Sequence, residues 1–324
     1  MVAIEICNDL YTKILDKKSI SGQIHSVFKK TVNIVTEDND LVAILVDKKD
    51  ISPMGIVVKA SNLQQLGFKQ GMSVTFKKDV ISVTEMSIDI EISKAKKWNP
   101  QPVNDFKKTE LENIKSLVEY LEDGIFYRGK HEGIAPIVYR IGSYLPELAS
   151  YTKREIPANH YTSFIESRFV TFLENVVSGN RDNIGEYTKQ IIGFGPGLTP
   201  SVDDFITGLM VSLYYNSRYF ELDTDSILEF NRNVIGEISN KTTRISEEML
   251  KFASIGQCSG KVRNLVLTIL RGSGFGELDE AIDAVLSFGD TSGTDITSGI
   301  YVGFRIMFNE KSRRLLANES TNGN

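Results

Sequence analysis

The chain has 324 residues, 41% of them hydrophobic and 24% charged, with a formal net charge of -5. This is the make-up of an ordinary globular protein, longer than a usual single domain, whose acidic balance supplies no general attraction for nucleic acid or an anionic membrane. Cys7 and Cys258 stand far apart with no Cys/His spacing of a zinc motif, and read as cytosolic thiols.

In chain order, residues 1–9 lack a basic segment followed by an apolar run, so no secretory signal is expected. No apolar run reaches the roughly 18 residues of a membrane-spanning helix, which makes a cytoplasmic protein the expectation. Strands are expected at 27–35, 41–46, 55–60, 73–76 and 80–83, short runs of Val, Ile, Phe and Thr between polar turns, with a short helix at 61–66. Pro100 and Pro102 mark a linker, and from Thr109 the apolar period becomes helical. Helices are expected at 111–121, 135–149, 161–177, 184–191, 200–215, 226–239, 243–254, 261–270, 277–287 and 294–308. The predicted fold is α+β: a small antiparallel β domain, sheet or barrel, over 1–104, a larger mainly helical domain over 105–311, and a polar flexible tail over 312–324.

The most unusual stretch is Gly193-Phe194-Gly195-Pro196-Gly197-Leu198-Thr199-Pro200-Ser201-Val202-Asp203-Asp204. Glycines at alternate positions permit backbone angles closed to other residues and let the chain approach a ligand. Thr199 as a cap and Pro200 at the first helical position then predict a helix start, followed by Val202, Phe205, Ile206, Leu209 and Leu213 at helical spacing. The positive end of such a helix suits phosphate or carboxylate. Asp203 and Asp204 would repel that anion unless a cation or proton lies between them, and a magnesium-bridged phosphate held by these two aspartates would reconcile the two. A plain capping turn accounts for the same residues, because the spacing is neither the P-loop nor the dinucleotide pattern.

Gly289, Thr291 and Asp295 repeat the spacing of Gly197, Thr199 and Asp203, and each set opens a helix with glycine inside it, Gly208 in one and Gly299 and Gly303 in the other. Interior glycine costs a helix about 1 kcal/mol relative to alanine, so close packing or close ligand approach must offset it. Two helix ends converging on one site would explain the echo, and so would the general liking of helix starts for Gly, Ser, Thr and Asp. Between them, Thr243, Ser246 and Glu247 resemble a helix cap; alternatively the Thr243 and Ser246 hydroxyls, with Arg244, meet a ligand oxyanion. Arg128 reads as a solvated turn residue, His25 as a strand-edge residue, and His160 as a helix start. With three histidines and no Ser/His/acid motif, anion positioning by amides, hydroxyls and a metal fits the inventory better than imidazole base catalysis.

The loop from Gly193 to Phe205 resembles the Leu-Thr-Pro-Ser-Gly-Asp-Asp motif of the AllH-like family, which includes a subunit of the bacterial oxamate carbamoyltransferase of anaerobic allantoin degradation. The Thr243 to Ser246 cap, the turn Ser292-Gly293-Thr294-Asp295, and Gly22-Gln23-Ile24-His25-Ser26-Val27-Phe28 with Asn33 are similar to its other motifs. Val202 stands where the family motif usually has glycine, a stiffer and bulkier helix start. The resemblance implies a subunit of a hetero-oligomeric carbamoyltransferase of purine or ureide catabolism, converting oxalurate and phosphate to oxamate and carbamoyl phosphate. In that setting Gly195, Gly197, Leu198, Thr199, Ser201, Thr243, Ser246, Ser292, Gly293 and His25 would contact a small anionic metabolite. Asp203, Asp204 and Asp295 would act catalytically, the first two holding the metal. A noncatalytic scaffold or metabolite sensor in the same assembly is the alternative; an independent kinase has no P-loop lysine to support it.

Overall fold

The computed structural model of the chain describes residues 1–46, 50–103, 109–151 and 154–318. The expected boundary at 104/105 and the tail residues 319–324 lie outside them. The chain divides into two units, Met1–Gln101 with Cys258–Gly260, and Pro102–Gln257 with Lys261–Asn324.

The first unit has nine strands, alternating buried and more exposed side chains in β6 and β7 and buried on both faces in β4 and β5: β1 (Ala3–Cys7), β2 (Ser19–Val27), β3 (Thr31–Thr36), β4 (Leu41–Val46), β5 (Gly55–Val58), β6 (Ser73–Lys77), β7 (Val80–Val83), β8 (Ile88–Glu91) and β9 (Lys96–Trp98). They form one sheet in the order β8-β7-β6-β2-β3-β4-β5-β1-β9. Most neighbours are antiparallel, as expected, but β4/β5 and β1/β9 run parallel. The sheet curls until Val2 bridges Glu91 beyond its far edge. Helix α1 (Asn8–Lys17) buries Leu10 and Ile14 against it. β1, α1, β8 and β9 were not among the expected elements; each is short, and β9 ends at Trp98, two residues before Pro100 of the expected linker. The expected strand 27–35 is a hairpin, the end of β2 and most of β3.

The second unit is helical: α2 (Leu111–Arg128), α3 (Ala135–Arg140), α4 (His160–Val177), α5 (Ile184–Lys189), α6 (Ser201–Tyr219), α7 (Thr224–Val234), α8 (Arg244–Ser254), α9 (Gly260–Leu270), α10 (Phe275–Leu286), α11 (Ser292–Phe308) and α12 (Glu310–Leu316). The expected helix 135–149 stops at Arg140 and continues as two separate 3-10 turns, Ile141–Ser143 and Pro146–Leu148. Residues 312–316, expected in the tail, lie in α12 with Ser312 and Leu316 buried. No helix among the described residues is long and apolar enough to cross a membrane.

α6 and α11 are the axis of this unit. Both are buried along almost their whole length and around their circumference, the behaviour of a helix that other helices enclose. They touch through glycine. A Cβ on Gly208 would come within less than 3.0 Å of the Ile296 carbonyl oxygen, and one on Gly299 would do the same at the Phe205 carbonyl. This reciprocity offsets the helix-propensity cost of both glycines.

Candidate functional site

The closely packed pair sets the geometry of everything at its amino-terminal end. Gly208 meets Ile296 and Ile300, Gly299 meets Phe205 and Leu209, and Gly303 meets Ser212. Contacts that keep a near-constant sequence offset along both helices mean that α6 and α11 run parallel. Their starts therefore meet: Thr199 Oγ1 lies 3.0 Å from Ser292 Oγ, and Ser201 Oγ 3.3 Å from Thr291 Oγ1. The expected convergence of the two helix ends is present.

The register of the echo is shifted by one residue. Gly208 and Gly299 are structurally equivalent, so Asp295 answers to Asp204 and not to Asp203. Asp204 and Asp295 each stand four residues before a crossing glycine and so face the opposing helix. Asp203, about 100° further round, faces elsewhere. Its Oδ1 accepts the Gly193 amide at 2.7 Å, and its Oδ2 accepts the Thr242 hydroxyl. The adjacent carboxylates expected to share one metal thus diverge.

The loop above them has Gly193, Gly195 and Gly197 at φ of 76°, 118° and 98°, in the region that favours glycine. A Cβ on Gly195 would come within less than 3.0 Å of the Ser201 amide nitrogen. Among the described residues the amides of Gly195, Gly197, Leu198 and Thr199 find no protein acceptor, and Leu198 is 55% exposed at the rim. Thr199 does not cap α6, which starts at Ser201; its hydroxyl donates to Asp204 Oδ2 at 2.9 Å. Val202 is fully buried, so its bulk is taken up by the core of the helical unit. Phe194 stacks on exposed Phe164 at 5.6 Å between ring centroids, steadying the loop from outside.

Thr243 caps α8 by accepting the Ser246 amide at 3.2 Å, and its hydroxyl donates to the Leu198 carbonyl at 2.8 Å. The cap reading is therefore correct, and the same hydroxyl also ties α8 to the loop. Ser246 is buried near Asp203. Gly293 is a packing residue: its amide bonds the Phe288 carbonyl and a Cβ would strike the end of α10. His25 lies in the first unit at a bulge of β2, exposed, its Nδ1 3.2 Å from Ser26 Oγ, which accepts from Asn33 Nδ2 at 3.0 Å. Arg128 pairs with Asp279 and Asp283.

One wall of the site was not anticipated. Residues 129–134 fold over α11, where the Lys130 amide bonds Thr294 Oγ1 at 2.8 Å and the Ile134 amide bonds Asp295 Oδ1 at 2.8 Å. Gly133 lies so close that a Cβ there would strike both Asp295 oxygens. Asn159 pins this wall through Nδ2 to the His131 and Gly133 carbonyls, both at 2.8 Å, while its Oδ1 caps α4. The visible signal was Gly129 and Gly133 four residues apart.

Burial pushes the Asp203 carboxyl above its ordinary range, with Thr242 and the Gly193 amide opposing. Burial and then the neighbouring Asp295 push Asp204 well up. Burial raises Asp295 to about 7 against the opposition of the Ile134 amide and the Ser201 and Thr291 hydroxyls. Burial thus disfavours the charged forms of Asp204 and Asp295 beneath a loop of free amides.

Two family models match the chain. The AllH family N-terminal domain matches residues 2–97, and the oxamate carbamoyltransferase subunit AllH matches residues 191–304. The second span takes in the glycine loop, α6, α8 and α11 as far as Phe304. No solved structure matches.

Proposed function

The chain belongs to the AllH family, a subunit family of oxamate carbamoyltransferase, and we propose that it binds the anionic substrate of that enzyme at the loop 193–201. The reaction is transfer of the carbamoyl group of oxalurate to phosphate, giving oxamate and carbamoyl phosphate, within an assembly that includes other subunits. The observation that carries this reading is the parallel convergence of α6 and α11. Two helix starts and the unpartnered amides of Gly195, Gly197, Leu198 and Thr199 present partial positive charge at one place. The Ser201, Thr291 and Ser292 hydroxyls lie at the same place, Thr199 links Ser292 to Asp204, and Thr243 holds the loop rim. The substrates are small oxyanions, for which such donors supply both affinity and orientation.

Titration calorimetry of the purified chain with phosphate, oxamate and oxalurate tests binding directly. At least one is expected to release heat, and Gly195→Ala is expected to weaken it at least tenfold by displacing Ser201. Turnover of the reconstituted assembly should fall in parallel. No heat with any of the three would overturn the reading, whereas binding lost with turnover unchanged would assign the loop to a sensing or scaffolding role.

A further inference from the structure

Four buried side-chain oxygens carried by α6 and α11 have no hydrogen-bond partner: Asp204 Oδ1, Thr207 Oγ1, Asp295 Oδ2 and Ser298 Oγ. They are two equivalent pairs. Ser201, Asp204, Thr207 and Gly208 on α6 recur at a constant offset as Ser292, Asp295, Ser298 and Gly299 on α11. The reciprocal glycine contacts make that offset an approximate two-fold axis between parallel helices. Both aspartates are fully buried, and both face this axis one turn before the crossing. Thr207 and Ser298 follow three residues later, about 60° round the helix from the aspartates, and helical side chains tilt back toward the amino terminus, here toward the carboxylates.

Native interiors leave few polar groups unpaired, and a buried carboxylate oxygen without a donor is costly; Asp204 and Asp295 each have one such oxygen, the other accepting from the Thr199 hydroxyl and the Ile134 amide respectively. Among the described residues no lysine or arginine forms an ion pair with Asp204 or Asp295, whose nearest charged influence is that of Asp295 on Asp204. We propose that Asp204 and Asp295 hold one hard divalent cation on the two-fold axis, with hydroxyl oxygens of Ser201, Thr207, Ser292 and Ser298 available to complete its shell. Two carboxylates match a charge of two, and an oxygen-only donor set favours Mg2+, Ca2+ or Mn2+ over the softer metals. Among the described residues no group of three or more His, Cys, Asp or Glu is placed to hold a metal. This site differs in drawing its remaining donors from hydroxyls. It rests on the packing of α6 against α11 and is independent of carbamoyl transfer.

Elemental analysis of the purified full chain after dialysis in metal-free buffer is expected to find about one divalent ion per chain. Chelation should lower the Tm, and Mg2+, Ca2+ or Mn2+ should restore it where sodium and potassium at matched ionic strength do not. Asp204→Asn and Asp295→Asn, checked for folding by circular dichroism and gel filtration, should each lose the ion at least tenfold, and Ser298→Ala should weaken its retention. Wild-type protein without bound divalent metal and with a Tm indifferent to chelation and re-addition would overturn the proposal, whatever the variants do. Restoration by potassium or sodium alone would overturn the divalent assignment. Calorimetric binding of phosphate or oxamate reads the loop separately, so either conclusion can fail without the other.

Discussion

Gly208→Ala and Gly299→Ala are each expected to destabilise the protein by about 3 kcal/mol, with the double variant costing clearly less than the sum of the two. Each new methyl would meet not a pliant side chain but the backbone carbonyl of the opposing helix, Ile296 in one case and Phe205 in the other. The only relief is for α6 and α11 to move apart. Overpacking of this kind costs about 1–3 kcal/mol where side chains can yield, and the upper end applies where backbone must shift. Once one methyl has separated the helices, the second finds room already made, which is the source of the expected non-additivity. Gly276→Ala in α10 is the control: nothing lies within 4 Å of the added methyl, so helix propensity should make that change neutral or stabilising by up to about 1 kcal/mol. Chemical denaturation of the four variants checks the whole set, and additive losses at Gly208 and Gly299 would contradict the shared-interface account.

The same separation would act on the site. The hydroxyl contacts Thr199 to Ser292 and Ser201 to Thr291 span the starts of the two helices, and they exist because the glycines let the axes approach. Glycines inside the helices thus position a loop about two turns away. The first unit takes no part in that argument: His25, Ser26 and Asn33 form their own hydrogen-bonded row at a bulge of β2.

Much of this was legible in the sequence because it is locally encoded. The change from strand to helical periodicity, the helix starts at His160 and Thr243, and the three glycines of the loop need only their neighbours to be read. The convergence of two helix starts was also visible as an echo, but with Asp203 in the place of Asp204. The echo had been aligned on Gly197 and Gly289, loop residues whose positions relative to a helix are free to slip. The interior glycines, Gly208 and Gly299, fix the register because packing admits one choice. The wall 129–134 offered only two glycines four residues apart, Gly129 and Gly133. Gly133 is glycine because of a carboxylate on α11, and no pattern within residues 129–134 announces a partner that distant. β1 and α1 were missed for a different reason: β1 depends on its ladder partners β5 and β9, and α1 on the sheet it covers, rather than on strong propensity of their own.

In metal-free protein, stability is expected to fall as pH rises from about 4 to about 7, and Asp295→Asn is expected to flatten that fall. Asp295 has an ordinary carboxyl value of 3.8 when the chain is unfolded and about 7 when folded, because burial disfavours its charge. Between those values the folded state binds a proton that the unfolded state has already released. Stability then declines with pH at about 1.4 kcal/mol per unit for one such group. The contribution is whole below the unfolded value and lost as pH passes the folded one. Asp204 shifts the same way, because burial and the charge of Asp295 both raise it, so the two carboxyls titrate as a pair and steepen the fall. Asparagine keeps an oxygen for the Ile134 amide and removes the titration, so the variant should gain on the parent protein steadily across that range. Denaturation curves of both proteins at successive pH values in the presence of a chelator measure the difference; parallel curves would mean that Asp295 folds already charged. A divalent cation replaces the proton, so adding it back should restore stability most at the upper end of the range, where the unpaired carboxylates cost most.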